Sequence, residues 1–562
     1  MGTIHHDRPA VRSTHSPRAA TWLTRLVLAA ALIVTTLLAA GLVVPPDAKR
    51  ADTTATTFSA DRAMQDLEVV AAEPHPIGSA AQQRVRDYLT VQAEALDLPV
   101  EVQLDESSGA ENVIARLPGT SSSDRDVLIT AHYDSTPNGP GAGDNGMAVA
   151  AMLETMRVLH ARESLSNDVV FLFTDGEENG QTGIAAYVDD HPDADRVAVA
   201  FVFEGLPESA GTEMRTTTPG DAWLVDQLAD ASLPIFTNSA LNTSDRDRIG
   251  NDFAAFAPAG IVAAEFLTEG HVVRYHKPGD NVAAIDPGVV QDHGDTMVAL
   301  AEHFGNLDLS AARITDSDRV FFSVPLLGLV SYPVWLAQAL AVIAAVAFLV
   351  VVGGAWRRRL VSAPHLAWGT LVAPGMGGAL TVLAWAAWQL LLGLNPESEQ
   401  TRQYPDFDGS TTAMAAIGAV AGLAFVAACH WLARRLGAPA LAAGSLVWWT
   451  LLALLLAIGE PLFSAVALWP LLGGIAALAV AAWVSHPWAR AGLLALAAIP
   501  GLVIAVPLLI LEAINVENGP LVAVPVLMLL LGSLLPQLLL ITGRLGPPRS
   551  DTPERKEQVP RT

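Results

Sequence analysis

Between about residues 324 and 543 the sequence is a series of apolar stretches broken by short polar loops, and this block limits the fold more than any other feature. In hydrocarbon every backbone amide and carbonyl must be satisfied within its own segment, so stretches of about 20 apolar residues read as membrane-spanning helices. Seven are expected, near 328–353, 366–394, 411–433, 439–459, 462–483, 491–514 and 520–542. Another run, WLTRLVLAAALIVTTLLAAGLVV at 22–44, is long enough to make an eighth. Its core is long for a cleaved signal peptide, and the following PPDAKR lacks a small-x-small site, so an uncleaved anchor is expected. Pro and Gly recur inside the later spans, as in APGMGG and AIPGLVIAVP, which fits helices packed into a bundle. His430, Glu460 and Glu512 fall near span ends and read as interfacial residues, since a proton path would place acids or bases mid-span.

The charges between spans alternate. Arg8, Arg12, Arg18 and Arg25 precede or enter the first run. Arg357, Arg358 and Arg359, then Arg434 and Arg435, Arg490 and Arg544 follow every second later span, whereas the NPESEQ and INVENG loops are acidic or neutral. Basic loops stay in the cytoplasm. The expected organisation is a cytoplasmic tail (1–21), an anchor (22–44), an extracytoplasmic domain (45–324), a multi-span domain of about seven helices (325–543) and a second cytoplasmic tail (544–562). An Ala-, Arg- and Trp-rich composition points to a bacterial source, and hence to the plasma membrane with the domain on its outer face.

That domain has a soluble composition, unlike the chain as a whole, which is 51% hydrophobic and 16% charged. It carries most of the acid behind a formal charge of −24, which argues against a nucleic-acid partner. The one cysteine, Cys429, can form no intramolecular disulfide, so cysteine usage does not fix the compartment.

Within the domain, apolar runs and helical patterns alternate. Strands are expected at 126–130, 168–174, 197–203 and 260–267, and helices at 145–162, 182–190, 222–232 and 287–307. Continuous apolar strands between helices indicate an α/β fold, a mostly parallel sheet flanked by helices. Ligands of such sheets bind beyond the carboxyl ends of the strands. There the sequence places His132 and Asp134 after DVLIT, Asp175, Glu177 and Glu178 after DVVFLFT, and Glu204 after VAVAFVF. Histidine and carboxylates without cysteine suit a borderline or hard divalent metal such as zinc. His132, Asp144, Glu178 and Glu204 form a candidate set, with His276 of RYHKPGDN as the second histidine. Five ligands exceed the three protein ligands usual for one catalytic zinc, and suit two metals sharing a carboxylate. Glu177 is left as an acid able to take a proton from water.

Together, HYD (132–134), GAGDNGMA around Asp144, DGEENG (175–180), FEG around Glu204 and YHKPGDN (275–281) resemble the M28 family of zinc aminopeptidases. FFSVPLLGLVSYP (321–333), leading into a multi-span block, is similar to the membrane-bound branch of that family, which includes vacuolar membrane proteases and endoplasmic reticulum metallopeptidases. The resemblance implies a peptide substrate and two zinc ions per chain. Asp144 would bridge the metals, His132 and Glu204 would complete one site, and Glu178 and His276 the other. Glu177 would be the general base, and Asp134 would orient His132. Tyr275 would donate to the tetrahedral oxyanion. Asp252 and Asp280 would support the ligands from behind. Secreted members carry Asp where this chain has Glu204, a departure that bears on that metal site. Two other readings stay open at this point: a glutaminyl-cyclase-like acyltransferase with one zinc, and a transport or scaffold protein whose domain only binds.

Overall fold

A computed structural model describes residues 17–121, 124–207, 210–231, 233, 235–241, 250–270, 273–395, 407–515 and 519–545. Arg8, Arg12, most of the NPESEQ loop, part of the INVENG loop and the chain beyond 545 lie outside the described residues.

The domain is built on an eight-stranded sheet. Its strands are β1 (Val100–Leu104), β2 (Glu111–Leu117), β3 (Asp126–His132), β4 (Val169–Thr174), β5 (Val197–Gly205), β6 (Thr212–Thr217), β7 (Phe236–Thr237) and β8 (Val262–Thr268). The order across the sheet is β1-β2-β4-β3-β5-β8-β6-β7. The four expected strands, β4-β3-β5-β8, form a parallel centre. The margins differ from the expected mostly parallel sheet: β1, β2 and β4 pair antiparallel in turn, as do β6 and β8. The central strands have no polar face, because helices cover both sides. Val127, Ile129 and Ala131 of β3, with Phe171, Phe201 and Phe266 of its neighbours, enter one core. The alternate residues Leu128, Val170, Leu172 and Val202 enter the other.

The larger core lies under α2 (Ala60–Val70), α3 (Ala80–Glu94), α4 (Met147–His160), α6 (Ala222–Ala231) and α7 (Pro287–Gly305), while α5 (Thr182–Asp190) covers the opposite face. Helix α7 starts where Asp286 accepts the amide of Gly288 at 2.8 Å and Pro287 occupies the first turn.

Seven helices among the described residues are long and apolar enough to cross a membrane, or eight if one bent pair counts as a single span. With α1 (Pro17–Ala40) they are α8 (Val334–Arg357), α9 (Ala363–Leu394), α10 (Ser410–Leu436), α11 (Ala438–Gly459), α12 (Ser464–Trp483) and α13 (Pro487–Ile514). The bent pair is α14 (Pro520–Ser533) and α15 (Leu535–Ile541), which meet at 69°. Here Pro536 removes an amide donor and restricts the residue before it, so the expected continuous span at 520–542 breaks at Leu534. The span expected to start at 328 starts at 334. Residues 328–333 are strand β10, paired with β9 (Arg319–Val324) across a Pro-Leu-Leu turn. The run FFSVPLLGLVSYP is apolar enough for a helix, yet its β-branched and aromatic residues also suit a hairpin.

The hairpin and the end of α1 seat the domain on the bundle. Val320, Phe322 and Tyr332 pack with Ala337, Leu462, Ala465 and Ile504. Val43, Ala210 and Phe236 pack with Leu511. Ser239 Oγ donates to the Leu462 carbonyl at 2.6 Å.

Gly294, inside α7, faces the buried ring of Phe58, and a β-carbon there would overlap the ring. Alanine normally gains up to about 1 kcal/mol over glycine in a helix interior. Here overpacking, about 1–3 kcal/mol, outweighs that gain. Gly294→Ala is expected to lower the unfolding temperature of the full chain; an unchanged or raised value would contradict the packing.

Candidate metal centre

The carboxyl ends of the parallel strands converge on one cluster. His132 is the last residue of β3, and Glu204 stands one residue before the end of β5. After β4 the chain turns through Gly176, whose φ of +73° suits glycine, and sends Glu177 and Glu178 back over the sheet. Asp134 pins this turn. Its two carboxylate oxygens accept the amides of Glu177 at 3.1 Å and Glu178 at 3.3 Å. His132 Nδ1 lies 3.1 Å from the Asp134 carbonyl and 3.5 Å from its carboxylate.

Asp144 precedes α4 and reaches the cluster from a loop that turns at Gly141, with φ +66°. The loop is stitched to the one bearing His276. Asp280 accepts the amides of Gly143 at 2.6 Å and Asp144 at 3.1 Å. The amide of Ala142 donates to the Asp280 carbonyl at 3.3 Å. His276 itself holds a left-handed backbone, φ +56°, uncommon for a residue with a β-carbon and typical of a constrained site.

Two groups result. In the first, His132 Nε2 is 3.3 Å from Asp144 Oδ1 and 3.5 Å from Glu204 Oε2. In the second, His276 Nε2 is 3.1 Å from Asp144 Oδ2 and 3.2 Å from Glu178 Oε2. The first group is buried and the second is partly open to solvent. Asp144 thus offers one oxygen to each. Among the described residues Asp144 Oδ2, Glu178 Oε1, Glu204 Oε1 and His276 Nε2 are buried without a hydrogen-bond partner. Such atoms are costly to leave unsatisfied. Tetrahedral zinc with bonds near 2.0–2.1 Å spaces its ligand atoms about 3.3–3.4 Å apart, and the donor set matches in type and spacing.

The electrostatics agree. Burial pushes Glu204 up to about 8, Asp144 and Asp252 pushing the same way against His132. Burial also raises Glu178. Burial pushes Glu177 up to about 9, with Glu204, Asp252 and Asp144 adding to it and His132 opposing. His276 is raised as well, to about 10, in its case against burial, because Asp144 and Glu178 outweigh that effect and favour its charged form. The cluster therefore has a deficit of positive charge that divalent cations would fill.

Tyr275 stacks on His276 with ring centroids 3.7 Å apart and lines, with Glu177, a cavity of about 430 Å³ beside the cluster. Asp252 Oδ2 accepts from Thr174 Oγ1 at 2.5 Å, behind His132. Asp175, although at a strand end, turns away; its carboxylate accepts from Gln82 Nε2 at 2.8 Å and from the Glu111 amide at 2.9 Å. One supporting residue was not anticipated. Asn145 Nδ2 donates to Glu204 Oε2 at 2.8 Å and to the Phe203 carbonyl at 2.7 Å, fixing that carboxylate. Its place next to Asp144 was the available signal.

A mixed sheet with histidines and carboxylates gathered at the carboxyl ends of its parallel strands defines an α/β domain with a candidate metal centre. Residues 112–301 match the model of peptidase family M28. Over 234 residues the chain is 30% identical to human endoplasmic reticulum metallopeptidase 1, covering 40% of this chain and 25% of that one. Over 233 residues it is 28% identical to the vacuolar membrane protease of Candida albicans (strain WO-1), covering 40% and 27%. The chain thus spans about a quarter of the length of the curated relatives it matches. Among solved structures, BSAP, a zinc aminopeptidase from Bacillus subtilis, superposes with a TM-score of 0.37 at 17% identity, over 46% of this chain and 99% of that chain. Porphyromonas gingivalis glutaminyl cyclase does so with 0.37 at 18%, over 44% and 98%.

Replacing Asp280 by Asn should weaken zinc binding about 10- to 100-fold while the chain stays folded, because the loop amides around Asp144 lose a charged acceptor. Competition with a chromogenic chelator measures this. Unchanged affinity would show that the Asp280 contacts do not hold Asp144 in place.

Proposed function

We propose that this protein is a membrane-anchored zinc metallopeptidase that removes N-terminal residues from peptides, using two zinc ions per chain. The observation that carries the reading is Asp144, whose two oxygens face two separate histidine–carboxylate groups. His132 and Glu204 would complete one site, and Glu178 and His276 the other. Bound zinc supplies a water of lowered pKa and polarises a peptide carbonyl. Glu177, next to a ligand and lining the same cavity, takes the proton of the attacking water and returns it to the departing amine. Tyr275 donates a hydrogen bond to the oxygen that gains charge as the carbonyl becomes tetrahedral. The cavity is at the small end of ligand pockets, about 300–1,000 Å³, which favours holding one terminal residue over gripping an extended chain.

The same reading places the peptidase domain outside the cell membrane and both chain ends inside. Residues 1–21 and 544–562 are then cytoplasmic tails, 22–44 the anchor, 45–324 the outer domain and 325–543 the bundle. The arginines support it. Helix α8 begins at the domain and ends at Arg357, Arg358 stacks over Trp483 at the far end of α12, and Arg490 donates to the Ala481 carbonyl at 2.9 Å. These basic ends lie away from the end of the bundle that seats the domain.

Purified full chain should hold near two zinc per chain and cleave peptides with a free N-terminus but not their acetylated forms; chelation should abolish this. Glu177→Gln should keep the metal and lose about 100-fold or more in kcat. Full activity in that variant would remove Glu177 from the reaction, and one zinc per chain would overturn the two-metal site.

A further inference from the structure

The cavity beside the metal groups has a wall that the metal chemistry does not use. Arg215, Leu267, Glu269 and Asn515 line it. Glu269 directly follows β8, the same kind of strand-end position that yields His132 and Glu204, and it is almost fully buried. Both of its carboxylate oxygens are engaged. One pairs with Arg215 Nη1, which also donates to Glu213 Oε1 at 2.9 Å. The other accepts from Asn515 Nδ2 at 2.7 Å. Asn515 is not part of the peptidase domain: it caps α13, its amide donating to the Leu511 carbonyl at 2.7 Å.

A second contact joins the same wall to the same helix. The amide of Ala210 donates to the Glu269 carbonyl at 2.8 Å, and Ala210 packs with Val43, Phe236 and Leu511. The wall therefore rests on α13 through both polar and apolar contacts. A buried guanidinium–carboxylate pair is weak support for stability, since apolar residues of like volume pack as well or better. Its place in a substrate cavity gives it another use.

We propose that the end of α13 completes the substrate cavity, with Asn515 as a positioning residue that holds Glu269 and Arg215 to select the first residue of the peptide. The inference rests on the peptidase reading, and it makes the bundle part of the specificity site. Asn515→Leu removes the donor and leaves a buried carboxylate short of a partner. Asn515→Asp sets a like charge against Glu269. Asn515→Gln keeps an amide donor.

The test uses full chain with measured zinc content and peptides beginning with Ala, Leu, Lys or Glu. For the preferred peptide, Asn515→Leu should raise KM on the order of tenfold, with a smaller change in kcat. Asn515→Asp should raise it further, and Asn515→Gln should recover most of the loss. The rank order among first residues should change in Asn515→Leu and also in Glu269→Gln, which keeps the side-chain shape. An active, zinc-loaded Asn515→Leu with wild-type KM and rank order overturns the proposal. Wild-type protein that cleaves no free-amine peptide overturns the peptidase reading, and the selection of a first residue with it. Hydrogen exchange then reads the contact alone: faster exchange across Thr212–Thr217 and Val262–Glu269 in Asn515→Leu supports the coupling of bundle to wall, and unchanged exchange overturns it.

Discussion

Asp144 facing two histidines at once is the interaction on which the rest of the domain depends. Carboxylates clustered in a buried site repel one another and resist ionisation, as the upward shifts of Glu177, Glu178 and Glu204 show. Asp144 alone among the carboxylates of the two groups moves down, because His132 and His276, facing it on either side, outweigh its burial. Everything nearby serves to hold that geometry against its own electrostatics. A parallel sheet suits the task, since it delivers several side chains to one edge from strands buried on both faces.

The loops that carry the cluster are braced against one another. Asp280, on the His276 loop, grips the backbone that carries Asp144. Asp134, beside His132, grips the backbone that carries Glu177 and Glu178. Asn145, beside Asp144, grips the carboxylate of Glu204. Each support comes from a neighbour of a different member of the cluster, so displacing one loop disturbs another. A 1 Å error at a reacting centre has large kinetic consequences, and cross-bracing of this kind limits it.

Much of this was legible in the sequence for one physical reason: strands and site share a pattern. Apolar runs ending in His132, Glu178 and Glu204 announce both a buried strand and a polar strand end. What stayed hidden involves choices that pattern does not record. Strand direction at the sheet margins depends on how chain segments connect, so nothing in the sequence marked β2 as antiparallel to its neighbours or β6 as antiparallel to β8. The segment 328–333 is apolar in either conformation, and only the pairing with Phe321 and Phe322 makes it a strand rather than the start of α8. The bend at Leu534 depends on Pro536, but several other prolines in the bundle sit inside unbroken helices. Arg215, Glu269 and Asn515 lie far apart in the chain and belong to two structural units. Glu269 carried a partial signal as an acid at a strand end; Asn515, in a membrane loop, carried none.

The seating of the domain bears on how such a chain divides labour. A simple tether would need one helix and a flexible link, and α1 alone would supply it. Instead the hairpin β9–β10 passes from the sheet side into α8 without a linker, and its aromatic residues pack on α12 next to Trp469. The end of α1 and the end of α13 meet under Ala210 and Phe236. Apolar contacts of this kind fix orientation as well as distance, so the mouth of the cavity has a set position relative to the helix bundle. The cavity beside the metal groups is then shaped by α13, through Asn515, as well as by the sheet, so a shift of the bundle against the domain would change its outline.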